Sequence, residues 1–221
     1  LAKMEFLSTK ENPIRPDLNE EKPFFPWNKG RLVGQKAPLK LKEIWAIRIR
    51  IQLAEKVRNL ALFNLAIDSK LRGCDLASLR VCDISQGKSI YQCAIVMQRK
   101  AYRSCQFEIT ELTRQSVAAW IDVARLASDN YLFPSRVTKS PHLSTRQYAR
   151  LVAGWVALIG LNPATYGTHT MRRIKATLIY RRTKNLQAVQ LILGHTKLES
   201  TVRYLGIEVD DALEMAEQTE T

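Results

Sequence analysis

Apolar positions recur along this chain with two different periods, and the change of period divides it. Trp45, Ile49, Leu53 and Val57 repeat every four residues from Leu41 onward, with Arg48, Arg50 and Lys56 on other faces, which predicts an amphipathic helix. The run from Leu60 to Ile67 is apolar apart from Asn64 and predicts a helix buried on most sides. Leu76 and Leu79, after Gly73, predict a further short helix. Val81–Ile84, Ile90–Gln98 and Gln106–Thr110 are then short and rich in Val, Ile, Tyr and Phe, residue types that suit a pleated sheet. The last two flank Arg99-Lys100-Ala101-Tyr102-Arg103-Ser104, so the pattern predicts a three-stranded antiparallel sheet with a basic hairpin tip.

Helical spacing returns at Glu111–Ala127 and at Ser144–Leu161, where Ser144 and Gln147 have the spacing of a capping box. His169–Arg182, Asn185–Leu193, Leu198–Tyr204 and Val209–Gln218 complete a mainly helical second half. The predicted fold class is α+β, mainly helical, with one small sheet between two groups of helices.

Residues 1–38 read differently. They hold five of the eight prolines and the aromatic knot Phe24-Phe25-Pro26-Trp27, with Lys22, Lys29, Arg31 and Lys36 making the second half basic. Proline removes backbone donors and resists helix, so this segment is expected to be an extended arm or linker. No uninterrupted apolar run approaches the roughly 20 residues of a membrane span, and no membrane partner is expected.

Charge sharpens the division. The net charge is +13. The segment from Leu205 to Thr221 carries six acids and no base, so residues 1–204 hold 34 bases against 15 acids, or +19. Between Asn130 and Leu198 there is no Asp or Glu in 69 residues, while 11 Lys and Arg lie there. The chain's average would place about six or seven acids in such a stretch. A field this one-sided repels itself, and a polyanion partner is the usual compensation.

The cysteines add little. Cys74, Cys82, Cys93 and Cys105 form no CxxC pair and have no histidine at zinc-finger spacing, so no metal site and no cofactor are expected. Free thiols fit a reducing cytoplasm, although Cys93 and Cys105 are placed to face each other across the hairpin.

Candidate chemistry lies within and around the acid-free stretch. His169-Thr170-Met171-Arg172 is followed after 23 residues by His195, in Leu193-Gly194-His195-Thr196, and nine residues later by Tyr204. Upstream stands Leu71-Arg72-Gly73-Cys74-Asp75-Leu76, and Lys100 sits at the predicted hairpin tip. Breaking a phosphodiester without a metal requires another way to neutralise charge on the phosphoryl oxygens. Guanidiniums do this, being permanently charged and presenting a planar fork of donors. A tyrosine nucleophile, with a reference pKa near 10, must lose its proton as it attacks, and an imidazole or a cationic field assists. His169, three residues before Arg172, shares its helix face if the helix has begun there.

The order H-x-x-R, then L-G-H, then Y resembles the C-terminal signature of the tyrosine recombinases, or phage-type integrases. The arginine box around Arg72, with Asp75 three positions on, is similar to that family's first box, and the likeness runs from about Leu41 to the C-terminus. It implies a catalytic domain over 39–204, Arg72 and Arg172 on the scissile phosphate, and His195 hydrogen-bonded to it. His169 would assist deprotonation, Lys100 would protonate the departing 5′ oxygen, and Tyr204 would form a 3′-phosphotyrosine. Asp75 would support the charged cluster. The partner implied is double-stranded DNA, acted on in a bacterial cytoplasm by a homotetramer that is weakly associated or monomeric without DNA. Arg99, Arg103, Arg173, Lys175 and Arg181 are expected on the DNA backbone. Arg99 or Lys88 stands as an alternative to Lys100. The acidic segment 205–221, with Val209, Leu213 and Ala216 as a narrow apolar stripe, is expected to pack on a neighbouring subunit or fold back on its own basic surface.

Many members of the family carry an N-terminal helical domain that grips the opposite face of the DNA. The roughly 40 residues before the first helix here are too few for it. Either the chain is a compact recombinase with a basic arm or it is a fragment of a larger one. Two further functions remain open on the same residues: relaxation in the manner of a type IB topoisomerase, and a DNA-binding regulator without the chemistry.

Overall fold

A computed structural model describes residues 36, 38–87, 89–100, 102–137, 139–194 and 196–205, with the side chain of Arg203 excepted. Outside them lie the arm up to Gln35, Lys88, His195 and the segment from Gly206 that includes the predicted Val209–Gln218 helix. The described chain runs through α1 (Leu41–Leu53), α2 (Val57–Ser69), α3 (Gly73–Ala77), β1 (Ser85–Gln86), β2 (Ser89–Ile90), β3 (Cys93–Met97) and β4 (Ser104–Glu108). It continues with α4 (Glu111–Ala124), α5 (Thr145–Leu158), α6 (Thr168–Thr183), α7 (Leu186–Leu193) and α8 (Leu198–Leu205).

Helix α2 is the axis of the main core. Its Ala61, Leu62, Phe63 and Leu65 are wholly buried, against Ile47 of α1, Val117 of α4 and Ile174 of α6. Phe63 meets Trp155 of α5 edge to face, with ring centres 5.3 Å apart. Each such side chain removed from water contributes about 1.5–3 kcal/mol, so a helix apolar on nearly every face belongs at the centre.

The face of α1 differs from the one its four-residue repeat predicts. Leu41, Trp45, Ile49 and Leu53 are exposed, and Ile44, Ile47 and Ile51 point inward. The sequence carries two apolar stripes, and a helix can bury only one against a single neighbour. The isoleucine stripe is the one that meets α2, whereas Trp45 stays outside with the Arg48 guanidinium 4.6 Å from its ring centre. Arg48 in turn donates from Nε to Asn64 Oδ1 at 2.9 Å.

The predicted three-stranded sheet is two short antiparallel ribbons, β1–β2 and β3–β4. Val81–Asp83 is a 3₁₀ turn rather than a strand, with the Asp83 carboxylate accepting from the Arg80 amide at 2.7 Å. The chain from β2 to β3 breaks at Tyr91 and Gln92, so its first part pairs with β1 and its second with β4. The β3–β4 register sets Cys93 opposite Glu108 and Cys105 opposite Val96. Cys93 is exposed and Cys105 buried, so the two thiols do not face each other; all four cysteines are free.

Helix α5 begins with half of the predicted capping box. Ser144 Oγ accepts from the Gln147 amide at 3.1 Å, but the Gln147 side chain accepts from Arg150 instead of reaching back. Helix α6 joins two cores: Met171 and Ile174 belong to the main one, Ala176 and Tyr180 to a smaller cluster with Val189, Leu193 and Leu205. Helices α7 and α8, and with them Tyr204, are therefore held through α6.

Candidate functional site

Arg72 is the residue immediately before α3, in extended backbone, with Gly73 behind it. A side chain at Gly73 would come within 3.2 Å of the Tyr148 ring of α5, so glycine permits the close approach that fixes the start of this helix. The Arg72 guanidinium is hydrogen-bonded to Gln98 Oε1 at the end of β3. Gln98 is buried, and the alternation Ala94, Val96, Gln98 on the inward side of the strand is the sequence signal that would have marked it.

Asp75, 2% exposed, supports the hairpin rather than an arginine side chain: its Oδ1 accepts from the Arg99 amide at 3.0 Å. Lys100 and Arg99 are exposed in the turn beyond, and neither lines the cleft beside Arg72. Arg103 does line that cleft, a volume of about 590 Å³ that also meets Arg72, Gln98, Gln190, Gly194 and Thr196. Gly194 ends α7 in the left-handed region at φ +67, where a side chain would strain the backbone. The predicted His195, between two lining residues, lies outside the described residues.

Helix α6 starts at Thr168, so His169 stands in its first turn and Arg172 one turn below, on one face. His169 is exposed; Arg172 is 7% exposed. Arg172 donates from Nε to the Lys70 carbonyl at 2.8 Å, which leaves its two terminal amino groups for an anion. Lys70 closes α2 with a left-handed backbone at φ 53, and that turn frees its carbonyl from the helical ladder.

Tyr204, on α8, lies against both arginines of α6. The Arg172 guanidinium is 5.7 Å from its ring centre and that of Arg173 5.2 Å. Its Oη is buried. Burial pushes the phenol up to about 12, against a downward pull from Arg172, Arg173 and Arg72. Desolvation, followed by the positive charge of Arg172, Arg173, Lys36 and Arg72, holds the His169 imidazole below its ordinary 6.5. Arg72, Arg172, His169 and Tyr204 thus share one electrostatic neighbourhood, although they come from three separated parts of the chain.

Of three predicted backbone contacts on α6, two are engaged within the protein and one faces outward. Arg173 is 5% exposed and donates to the Lys36 carbonyl at 2.6 Å, so it packs inside the site. Lys175 is committed to Asp68, Nζ to Oδ1 at 2.9 Å. Arg181 is exposed near the end of α6. Among the described residues no cluster of three or more His, Cys, Asp or Glu could hold a metal, and no helix is long and apolar enough to cross a membrane.

Comparison with known proteins accords with this geometry. The model of the phage integrase family matches residues 40–209. A Bacillus subtilis (strain 168) protein described as "Probable integrase/recombinase YoeC" is 30% identical over 158 residues, covering 72% of this chain and 82% of that protein. The tyrosine recombinase XerH of Campylobacter jejuni is 25% identical over 165 residues, 73% of this chain and 44% of its own. Among solved structures, XerA recombinase superposes with a TM-score of 0.67 at 18% identity, over 84% of this chain and 64% of that one. XerH bound to a palindromic difH substrate gives 0.65 at 19% identity, over 82% of this chain and 52% of the other. The chain therefore spans about half the length of XerH, and the structural likeness is one of fold. By its family match, its YoeC relative and its fold, the chain belongs to the phage integrase family, the tyrosine recombinases.

Proposed function

We propose that this chain breaks and rejoins double-stranded DNA through a covalent 3′-phosphotyrosine at Tyr204. The observation that carries the reading is that Arg72 and Arg172, from separated parts of the chain, act together on both Tyr204 and His169. In the cleavage step the Tyr204 oxygen attacks phosphorus and the bond to the 5′ oxygen breaks. The phenolic proton passes to a base, for which a neutral His169 is suited, and the departing 5′ oxygen takes a proton from Lys100. Arg72 and Arg172, with His195, neutralise charge on the non-bridging oxygens. Asp75 keeps the base of the Lys100 hairpin in place through the Arg99 amide.

The phosphotyrosine conserves the bond energy, so a second 5′-hydroxyl reverses the step on another strand without a cofactor. Exchange between two duplexes needs two cuts in each, which accords with a homotetramer on DNA. The Oη is buried in the structure, so attack requires α8 to shift and present it. Arg103, lining the cleft, and the exposed Arg99 and Arg181 supply contacts to the DNA backbone.

A nicked suicide duplex, incubated with the protein and resolved on a denaturing gel, tests the reading. Wild type should form a covalent adduct that Tyr204→Phe does not form. Absence of the adduct with wild type, or its persistence in the variant, overturns the assignment. Joining of two distinct duplexes separates strand exchange from relaxation alone.

A further inference from the structure

Two parallel rungs connect the end of α2 to the first half of α6. In one, the Arg172 Nε donates to the Lys70 carbonyl at 2.8 Å; in the other, Lys175 Nζ donates to Asp68 Oδ1 at 2.9 Å. Asp68 and Lys70 are two residues apart at the close of one helix, and Arg172 and Lys175 are one turn apart on the other. The second oxygen of Asp68 is fully used as well. It accepts from the Thr110 amide at 3.0 Å and from the Thr110 and Thr113 hydroxyls, each at 2.6 Å. Asp68 is 5% exposed, so one buried carboxylate ties α2, the start of α4 and α6 together.

Burial raises the Asp68 carboxyl, but the bonds from Lys175, Thr110 and Thr113 outweigh that, and the net direction is downward. The group is a carboxylate, and a charge this buried is a costly choice for stability alone, because its desolvation offsets much of the attraction to Lys175. What it does supply is direction. Arg72 follows Lys70 by two residues, so the end of α2 carries one phosphate-binding arginine and receives the other.

We propose that Asp68 and Lys175 are positioning residues that fix Arg172 relative to Arg72 for charge neutralisation on the scissile phosphate. This assigns Lys175 to the interior of the site's scaffold rather than to the DNA backbone. The proposal rests on the recombinase reading, and its test separates the two. Loss of register of about 1 Å at such a centre costs on the order of 100-fold in rate.

The experiment uses the full chain as wild type, Asp68→Asn, Lys175→Gln and Arg172→Ala. Single-turnover cleavage is measured on a suicide duplex with an ordinary scissile phosphate and on one with a methylphosphonate there. The methylphosphonate has lost the negative charge that Arg172 neutralises. On the phosphate, Asp68→Asn and Lys175→Gln should cleave about 10- to 100-fold more slowly than wild type, with DNA affinity by anisotropy within about threefold. On the methylphosphonate their deficit should shrink to within about threefold of wild type, and that of Arg172→Ala should shrink alongside it. Equal deficits on both substrates, or none on the phosphate, overturn the proposal. If Asp68→Asn fails to fold, Lys175→Gln decides alone, because Lys175 is partly solvent-exposed and its loss leaves the threonine bonds to Asp68 intact. Absence of a wild-type adduct on the ordinary phosphate instead defeats the functional reading itself.

Discussion

The guanidinium of Arg172 stands 5.7 Å from the centre of the Tyr204 ring, with the phenolic oxygen buried behind it. The proposed nucleophile is therefore stored against the cation proposed to serve the phosphate. The cation–π contact holds α8 on α6, while burial keeps the phenol protonated. Both effects favour a resting state in which the tyrosine is buried and protonated.

That resting state has a titration signature. With the phenol held up to about 12 in the fold and near 10 when unfolded, its contribution to stability is complete below pH 10 and is lost as the pH rises through 12. Phenolate absorbance of wild type minus Tyr204→Phe should show this tyrosine ionising well above the exposed ones. The stability of Tyr204→Phe should fall less steeply than wild type across the same window. An ordinary phenolate transition near 10 would mean that the oxygen is open to water.

His169 shifts in the acid direction. Its folded pKa lies below 6.5, so protonation opposes the fold: the stability tied to it is full above 6.5 and declines as the pH falls through the folded value. Histidine resonances followed by NMR should show one imidazole titrating below the ordinary value and missing in His169→Gln. Binding of inorganic phosphate at the arginines should move that titration upward, by cancelling the positive field.

Gln98 is the side chain that anchors Arg72. Gln98→Ala should lower single-turnover cleavage about tenfold by freeing the guanidinium. Thermal stability should change little by comparison, since the lost partner belongs to a group that can turn to the cleft. Cleavage at the wild-type rate would show that Arg72 needs no such anchor.

The inward face of α1 can be tested by its energetics. Ile47→Ala, at a wholly buried position, should cost about 2–5 kcal/mol in denaturant unfolding. Trp45→Ala, 49% exposed, should cost within about 1 kcal/mol, including its contact with Arg48. Equal losses would place both stripes in the core.

These outcomes depend on features of unequal visibility in the sequence. The described helices of the second half were legible because their apolar spacing and caps are local: Asn185 accepts from the Ala188 amide at 2.9 Å and Gly194 ends the same helix, as their types imply. The predicted strand at Val81 was not, because a short β-branched run bonded by Asp83 back to the Arg80 amide turns instead of extending. The choice between two apolar stripes on α1, and the break at Tyr91 that splits the ribbon, depend on what packs opposite.

The sequence by itself determined the chemistry available: two arginines, a histidine and a tyrosine in a fixed order, with His169 and Arg172 inside 69 residues free of acids. Residue type and spacing carry that much, since charge and donor geometry belong to the side chain. Only the tertiary structure decided how they are held. Long-range contacts sent Lys175 to Asp68, put Arg172 on the Lys70 carbonyl, and closed Arg173 over Tyr204. Partners this far apart in sequence leave no periodic trace, and a lysine paired with a buried carboxylate reads the same along the chain as one bound for phosphate.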